Sequence, residues 1–229
     1  MPTSGTITYT LTARDVISYA LRKIGVIKAD EDPSPIKLSR SLIEMNLMLK
    51  SWQKYEQIWR ITEGYVNLLA NVSAYSLTPI PYRIIDVRYR SAAAQDLPLT
   101  EMTRQEYHEL PDRTSVGMPT MWYFDRQRST TSLFVWPVLD VPTTDTFRVT
   151  YQRRYEDVTN LQQEIDIPQD YLALVGYNLA ARLADDFGLM GENISRVVSR
   201  AESILTEALD DDREDFLQVM PDMMQRKVN

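Results

Sequence analysis

The chain has 229 residues, a net charge of −7 and no cysteine. That length suits one large domain or a domain carrying an insert, and the apolar and charged fractions are those of a folded chain. The missing cysteine excludes disulfides and thiol catalysis and removes a principal zinc ligand. The charge is uneven: residues 1–60 hold nine Lys/Arg against six Asp/Glu, residues 161–229 six against fourteen. Tight electrostatic binding of DNA needs a basic footprint, and the chain as a whole lacks one. The opening MPTSGTITYT has no basic n-region or apolar h-region, and no apolar run approaches a membrane span, so a cytosolic product is expected.

Residues 1–11 are rich in Ser and Thr and read as an arm. Thr12 caps a first helix, with Asp15 as the reciprocal partner, and Ala13, Val16, Ile17, Ala20, Leu21 and Ile24 form its apolar stripe. Residues 28–35 are a loop. Ser34 and Pro35 open a second helix, expected to end near Tyr55. Its Leu38, Leu42, Met45, Leu49 and Trp52 follow a 4-3-4-3 spacing, one narrow seam. Ile43 and Met48 widen the apolar surface, so this helix should touch more than one neighbour.

The pattern then turns to strands. Residues 60–69 read as extended, with Gly64 as a bulge. Residues 75–81 give a short strand and a Pro-marked turn. In residues 84–90, Ile85, Val87 and Tyr89 face one way and Asp86, Arg88 and Arg90 the other. Residues 103–110 form one short helix with Tyr107 and Leu110 inward. Residues 121–125 and 133–137 pair as a hairpin, and 147–151 alternate and run on into Gln152, Arg153 and Arg154. Five or six antiparallel strands follow, a small sheet or sandwich.

Helices return at residues 166–188. Asp166 and Pro168 mark the entry, Leu172, Val175, Leu179, Leu183 and Phe187 recur at helical spacing, and Gly188 ends it. From residue 171 to 184 the only charge is Arg182, and small residues fill the gaps, so this is a central core helix. Residues 192–209 carry a clean amphipathic pattern in Ile194, Val197, Val198, Ala201, Ile204, Leu205, Ala208 and Leu209. The short link between these two helices makes them antiparallel neighbours. The expected architecture is α+β: an antiparallel bundle of about four helices (1–57 and 160–209), an inserted antiparallel β module (58–159) and a C-terminal extension (210–229).

That extension begins with an acidic run, unfavourable at a helix C-terminus unless a partner compensates. Phe216, Leu217, Val219, Met220, Met223 and Met224 follow, too few for a core of their own. They read either as a loose or back-folded end or as a segment that docks on a partner groove. Catalytic patterns are absent: His108 is the only histidine, no nucleophile elbow, Walker A or metal-ligand spacing occurs, and no cofactor is expected. Glu101, Glu106, Glu109 and Asp112 read as alternating surface charges. Arg148, Arg153 and Arg154, interleaved with Tyr151 and Tyr155, form either a polar patch near nucleic acid or a partner, or a solvent face paired with carboxylates such as Glu156 and Asp157.

Taken together, the segments TARDVISYALRKIGVI, SLIEMNLMLKSWQ, AYSLTPIPYRIIDVR, GMPTMWYF with LFVWP, and DIPQDYLALVGYNLAARLADDFG form a recognisable order. In that order the chain resembles the head-to-tail adaptor (connector, packaged-DNA stabilisation) family of tailed bacteriophages, the P22-like short-tailed type in particular. The resemblance implies a structural virion protein without enzymatic activity, at the head-tail junction. It implies a homo-oligomeric ring of twelve copies bound beneath the portal protein, extending the DNA channel and retaining packaged DNA. A downstream nozzle or tail-tube protein would attach to it, and the C-terminal extension would meet the portal. An acidic channel wall would let DNA pass without sequence-specific binding. The alternatives are a tail completion or tail-tube ring protein, or a virion-associated peptidoglycan hydrolase.

Overall fold

The computed structural model describes residues 5, 9–55, 58–128 and 130–211. Two helices come first, α1 (Ala13–Lys23) and α2 (Pro35–Trp52). Strands β1 (Ile61–Asn67), β2 (Ala74–Ser76), β3 (Arg83–Arg90), β4 (Asp96–Pro98) and β5 (Thr100–Glu101) lead to a short α3 (Arg104–Glu109). Then come β6 (Met121–Arg126), β7 (Thr131–Trp136) and β8 (Thr146–Gln152), and finally α4 (Leu172–Asp186) and α5 (Glu192–Asp211). The fold is α+β, with a β module inserted between two helix pairs.

The helix starts follow local chemistry. Thr12 and Asp15 close the expected capping box on α1, and Ser34 caps α2 with Pro35 inside its first turn. Thr103 and Glu106 form a second capping box on α3, which gives Glu106 a structural role. Pro168 leads into a 3₁₀ turn (Gln169–Tyr171) that feeds α4, and Gly188, at φ +63, sits just past the helix end, where only Gly is unstrained. On α4, Leu174, Val175, Leu179, Ala180, Leu183 and Ala184 are buried. Helices α1, α2 and α5 each pack on α4, which makes it the hub of the helical layer. This arrangement does not show the closed four-helix bundle expected from the sequence. Gly176 has a packing reason: a Cβ there would stand 2.8 Å from two ring carbons of Tyr19 on α1. Tyr19 in turn meets Tyr177 edge-on, with Lys23 over both rings.

The β module is two four-stranded sheets, ordered β1-β8-β3-β4 and β2-β7-β6-β5. They share a core of Tyr75, Leu133, Val135 and Trp122 with Val87, Tyr89, Phe147 and Val149. A smaller cluster, Met102, Tyr107 and Tyr123, lies under α3. Among the described strands, every pair is antiparallel except β5 with β6, which is parallel, as is the isolated bridge between Val116 and Val138. The expected bulge at Gly64 is absent: β1 keeps continuous register with β8 from Ile61 to Asn67. Gly64 instead lies close under the Tyr151 ring, where a Cβ would stand 3.2 Å from a ring carbon, a tight approach. The irregularity lies in β3, between Ile84 and Asp86. It turns Ile84 inward and Ile85 outward, so Ile85 does not share the inner face with Val87 and Tyr89 as the alternation suggested.

The insertion enters and leaves at one place, because Ile61 pairs with Gln152. Arg60, fully buried, donates to the Arg153 carbonyl through Nε (3.2 Å) and Nη2 (2.7 Å), and its guanidinium lies 4.2 Å from the centre of the Tyr155 ring. Arg153 grips Asp166 with both Nη atoms, and the Glu156 N–H also reaches Asp166. Asp166 therefore ties the module's exit to the approach of α4 and does not cap that helix. From the other side, Asn46 on α2 exchanges two hydrogen bonds with the Val158 backbone, and the Lys50 ammonium donates to the Tyr155 carbonyl.

Two expectations follow. In an otherwise native chain, Gly176→Ala gains helix propensity of about 1 kcal/mol but drives the Tyr19 ring off α4. The substitution should stabilise a Tyr19→Ala background by about that amount and leave the native background unimproved. Urea unfolding of the four proteins measures this, and equal effects in both backgrounds would remove the ring as the constraint. The second concerns Tyr89, whose hydroxyl donates to Asp145. Burial, then that bond, pushes Tyr89 from 10.0 up to about 12. The folded chain holds this proton longer than the unfolded one, so its contribution is complete below pH 10 and is lost as pH rises towards 12. Tyr89→Phe should cost about 1 kcal/mol at neutral pH and flatten the stability profile between pH 10 and 12. Parallel profiles for the two proteins would contradict this.

Candidate interaction surfaces

The outer face of the β1-β8-β3-β4 sheet carries charges in register. Glu63, Thr150 and Asp86 form one row; Tyr65, Arg148 and Arg88 the next; Asn67, Thr146, Arg90 and Asp96 the third. Arg148 sits at the centre, bonded through Nε to Glu63 (3.0 Å) and through Nη1 to Asp96 (2.9 Å). These carboxylates, Glu63 foremost, raise the Arg148 pKa far above the usual range. Arg90 shares Asp96 at 3.2 Å and lies over Tyr65, while Arg88 holds Asp86 at 2.6 Å. Three guanidiniums thus face three carboxylates, leaving this surface without the net positive charge that phosphate binding draws on.

The three arginines singled out from the sequence are held in different settings. Arg148 belongs to this lattice. Arg153 lies beyond β8 in the junction, clasping Asp166 with its guanidinium over Trp59. Arg154 directs Nε at the Pro81 carbonyl, 3.4 Å away. Carboxylates do pair with two of them, but they are Glu63, Asp96 and Asp166, contributed by distant segments. Of the nearby acids, Asp157 pairs with Lys50.

Glu156, Asp157, Glu164 and Asp166 line a depression of about 340 Å³ beside the junction. Lys50 and Arg153 engage two of these acids, and Thr10 donates to Glu164. Among the described residues, no group of three or more His, Cys, Asp or Glu is placed to hold a metal ion, and no helix is long and apolar enough to cross a membrane. His108 turns Nδ1 towards Arg113, and Asp112 accepts from Thr114 and Ser115, closing the turn after α3.

Apolar side chains face outward on the helices. On α2, Ile36, Ile43 and Leu47 are 75%, 58% and 54% exposed, whereas Met48 is wholly buried. The widening attributed to Ile43 and Met48 therefore splits: Met48 joins the core and Ile43 the outer face. Ile36 and Leu47 were not singled out from the sequence, although their i, i+7, i+11 recurrence with Ile43 is readable there. On α5, Val198 and Leu209 are half-buried, and Leu205, also half-buried, packs against the helical core. The proposed docking residues Phe216, Leu217, Val219, Met220, Met223 and Met224 lie outside the described residues.

No curated protein matches the chain. Among solved structures, one chain from the virion of a native gene transfer agent particle is similar at 10% identity and a TM-score of 0.33, covering 85% of this chain and 92% of that one. A chain from the neck of an empty gene transfer agent particle computed with C6 symmetry gives 11%, 0.32, 83% and 92% in the same order. One from the neck of the native particle computed with C12 symmetry gives 13%, 0.30, 84% and 94%. The model of the SU10 adaptor protein family matches residues 11–224, nearly the whole length, and the protein belongs to that family.

Proposed function

We propose that the protein is a head-to-tail adaptor of a phage-like particle, a structural connector that works by holding partners and catalyses nothing. The adaptor-family match over residues 11–224 carries this reading. In its finer form, twelve copies form a ring beneath the portal protein, prolong the DNA channel, retain packaged DNA and give a tail protein its platform, as in P22-like short-tailed phages. Residues 1–57 and 160–209 form the helical frame, 58–159 the β module, and 210–229 the portal-docking extension, with Phe216, Leu217, Val219, Met220, Met223 and Met224 as its anchors. Arg148, Arg153 and Arg154 stand in the module that would face the tail partner or the passing DNA. Two observations support this reading. The chain's acidity suits a wall that DNA passes without being gripped, and the helices keep apolar residues on outward faces.

The test is electron microscopy of the protein mixed with its portal, for the full chain and for a chain ending at residue 211. The full chain should decorate the portal as a ring, and the shortened chain should fail to bind. A chain that stays monomeric with the portal present would refute the adaptor reading. Unchanged binding by the shortened chain would refute the role given to the extension.

A further inference from the structure

An outward stripe on α2 and a half-buried stripe on α5, whose Leu205 also packs against the helical core, have the same spacing and opposite charge. On α2 the stripe is Ile36, Arg40, Ile43 and Leu47; on α5 it is Val198, Glu202, Leu205 and Leu209. Both run i, i+4, i+7, i+11, one apolar residue, one charge, then two apolar residues. At 3.6 residues per turn these positions line one side of a helix for three turns. The Arg40 side chain is 55% exposed, with one Nη on Asp186 and its guanidinium over Phe187, and Glu202 is exposed. Within one copy the two helices both pack on α4 and not extensively on each other, so neither stripe covers the other. Beside the α5 stripe, a groove of about 400 Å³ runs past Leu189, Met190, Ile194 and Val198, and Met190 is 94% exposed.

We propose that α2 of one copy packs parallel to α5 of a second copy, with Ile36 against Val198, Arg40 against Glu202, Ile43 against Leu205 and Leu47 against Leu209. Parallel alignment is the one that opposes the two charges and matches apolar residues along the rest of the stripe. Like-with-like pairing works against itself, since a two-fold α2 contact sets Arg40 near Arg40 and a two-fold α5 contact sets Glu202 near Glu202. The contact therefore joins two different surfaces, and repetition of such a contact builds a closed ring or an open filament. It rests on the ring reading given above and assigns that ring its subunit boundary. Charge segregation favours the same pairing. From Pro35 to Lys54 the chain holds four basic residues and one acid, and from Glu192 to Asp210 four acids and two basic residues.

The absence of cysteine supplies the test. The full chain carrying both Leu47→Cys and Leu209→Cys is oxidised alone at high concentration and again with the portal, then run on a denaturing gel. A ladder from dimer upward is expected, while either single variant gives dimer at most. Arg40→Glu should lower the ladder yield roughly tenfold, and adding Glu202→Arg to it should restore the yield. Circular dichroism confirms that each variant is folded. A ring seen by microscopy without a ladder overturns this contact and leaves the adaptor reading standing. Neither ring nor ladder, with portal present, overturns both. A ladder indifferent to the charge reversals overturns the register.

Discussion

One buried guanidinium holds the two halves of the molecule in relation. Arg60 stands where α2 gives way to β1, with no exposed surface. A charge taken out of water is costly unless its donors are met and its surroundings are polarisable. Arg60 meets that demand in part: Nε and Nη2 donate to the Arg153 carbonyl and the guanidinium lies against the Tyr155 ring, both from the segment that follows β8, while Nη1 is buried without a hydrogen-bond partner. The cation thus latches entry to exit, and Arg153 carries the link onward to Asp166 before α4. Burial lowers the Arg60 pKa, while the Asp166 contact raises that of Arg153, as expected for an inner cation that is desolvated and an outer one that is salt-bridged. An insertion whose two ends are adjacent strands leaves the helical frame nearly undisturbed, so the frame is free to do the organising.

The frame organises through α4. A helix apolar or small on nearly every side must be covered on nearly every side, and α1, α2 and α5 do the covering. Arrangement around a hub has a consequence that a closed bundle lacks. Each outer helix has one face on α4 and another turned away, and α2 spends a third, through Asn46 and Lys50, on the segment leaving the β module. The exposed stripe on α2 is what remains after the core and the junction have taken their shares. Outward apolar surface of this kind is expected of a subunit whose partners complete it.

Features set by neighbours in the chain were legible in the sequence. Thr12 with Asp15, Ser34 with Pro35, the β6–β7 hairpin, the short α3 and the buried character of α4 follow from spacing within a few residues. Features set by distant residues were not. Gly64 sits in regular strand close under the ring of Tyr151, eighty-odd positions on; from the sequence alone a glycine there reads as a bulge. The true irregularity, beside Ile85, has no glycine to mark it. The partners of Arg148 and Arg153 come from Glu63, Asp96 and Asp166, and no local pattern distinguishes these acids from the nearer Glu156 and Asp157. The hub packing, too, depends on how helix faces are divided, and spacing shows only that those faces are apolar.

Charge then separates two kinds of surface. On the β module, positive and negative side chains alternate across neighbouring strands and neutralise one another locally, so that face has shape and hydrogen-bonding capacity but little field beyond a Debye length. On α5 the charges are not balanced by their own helix, and the field reaches outward. Under the adaptor reading these are different tasks. A locally neutral, rigid sheet suits a partner that docks by fit, and an unbalanced helix suits steering between like subunits or repulsion of a phosphate backbone. Because α4 fixes α5 and, through the Asp166 junction, also fixes the sheet, the distance between the two kinds of surface is set inside a single copy. A ring built from such copies would present both surfaces at constant height around its axis, without any further element to align them.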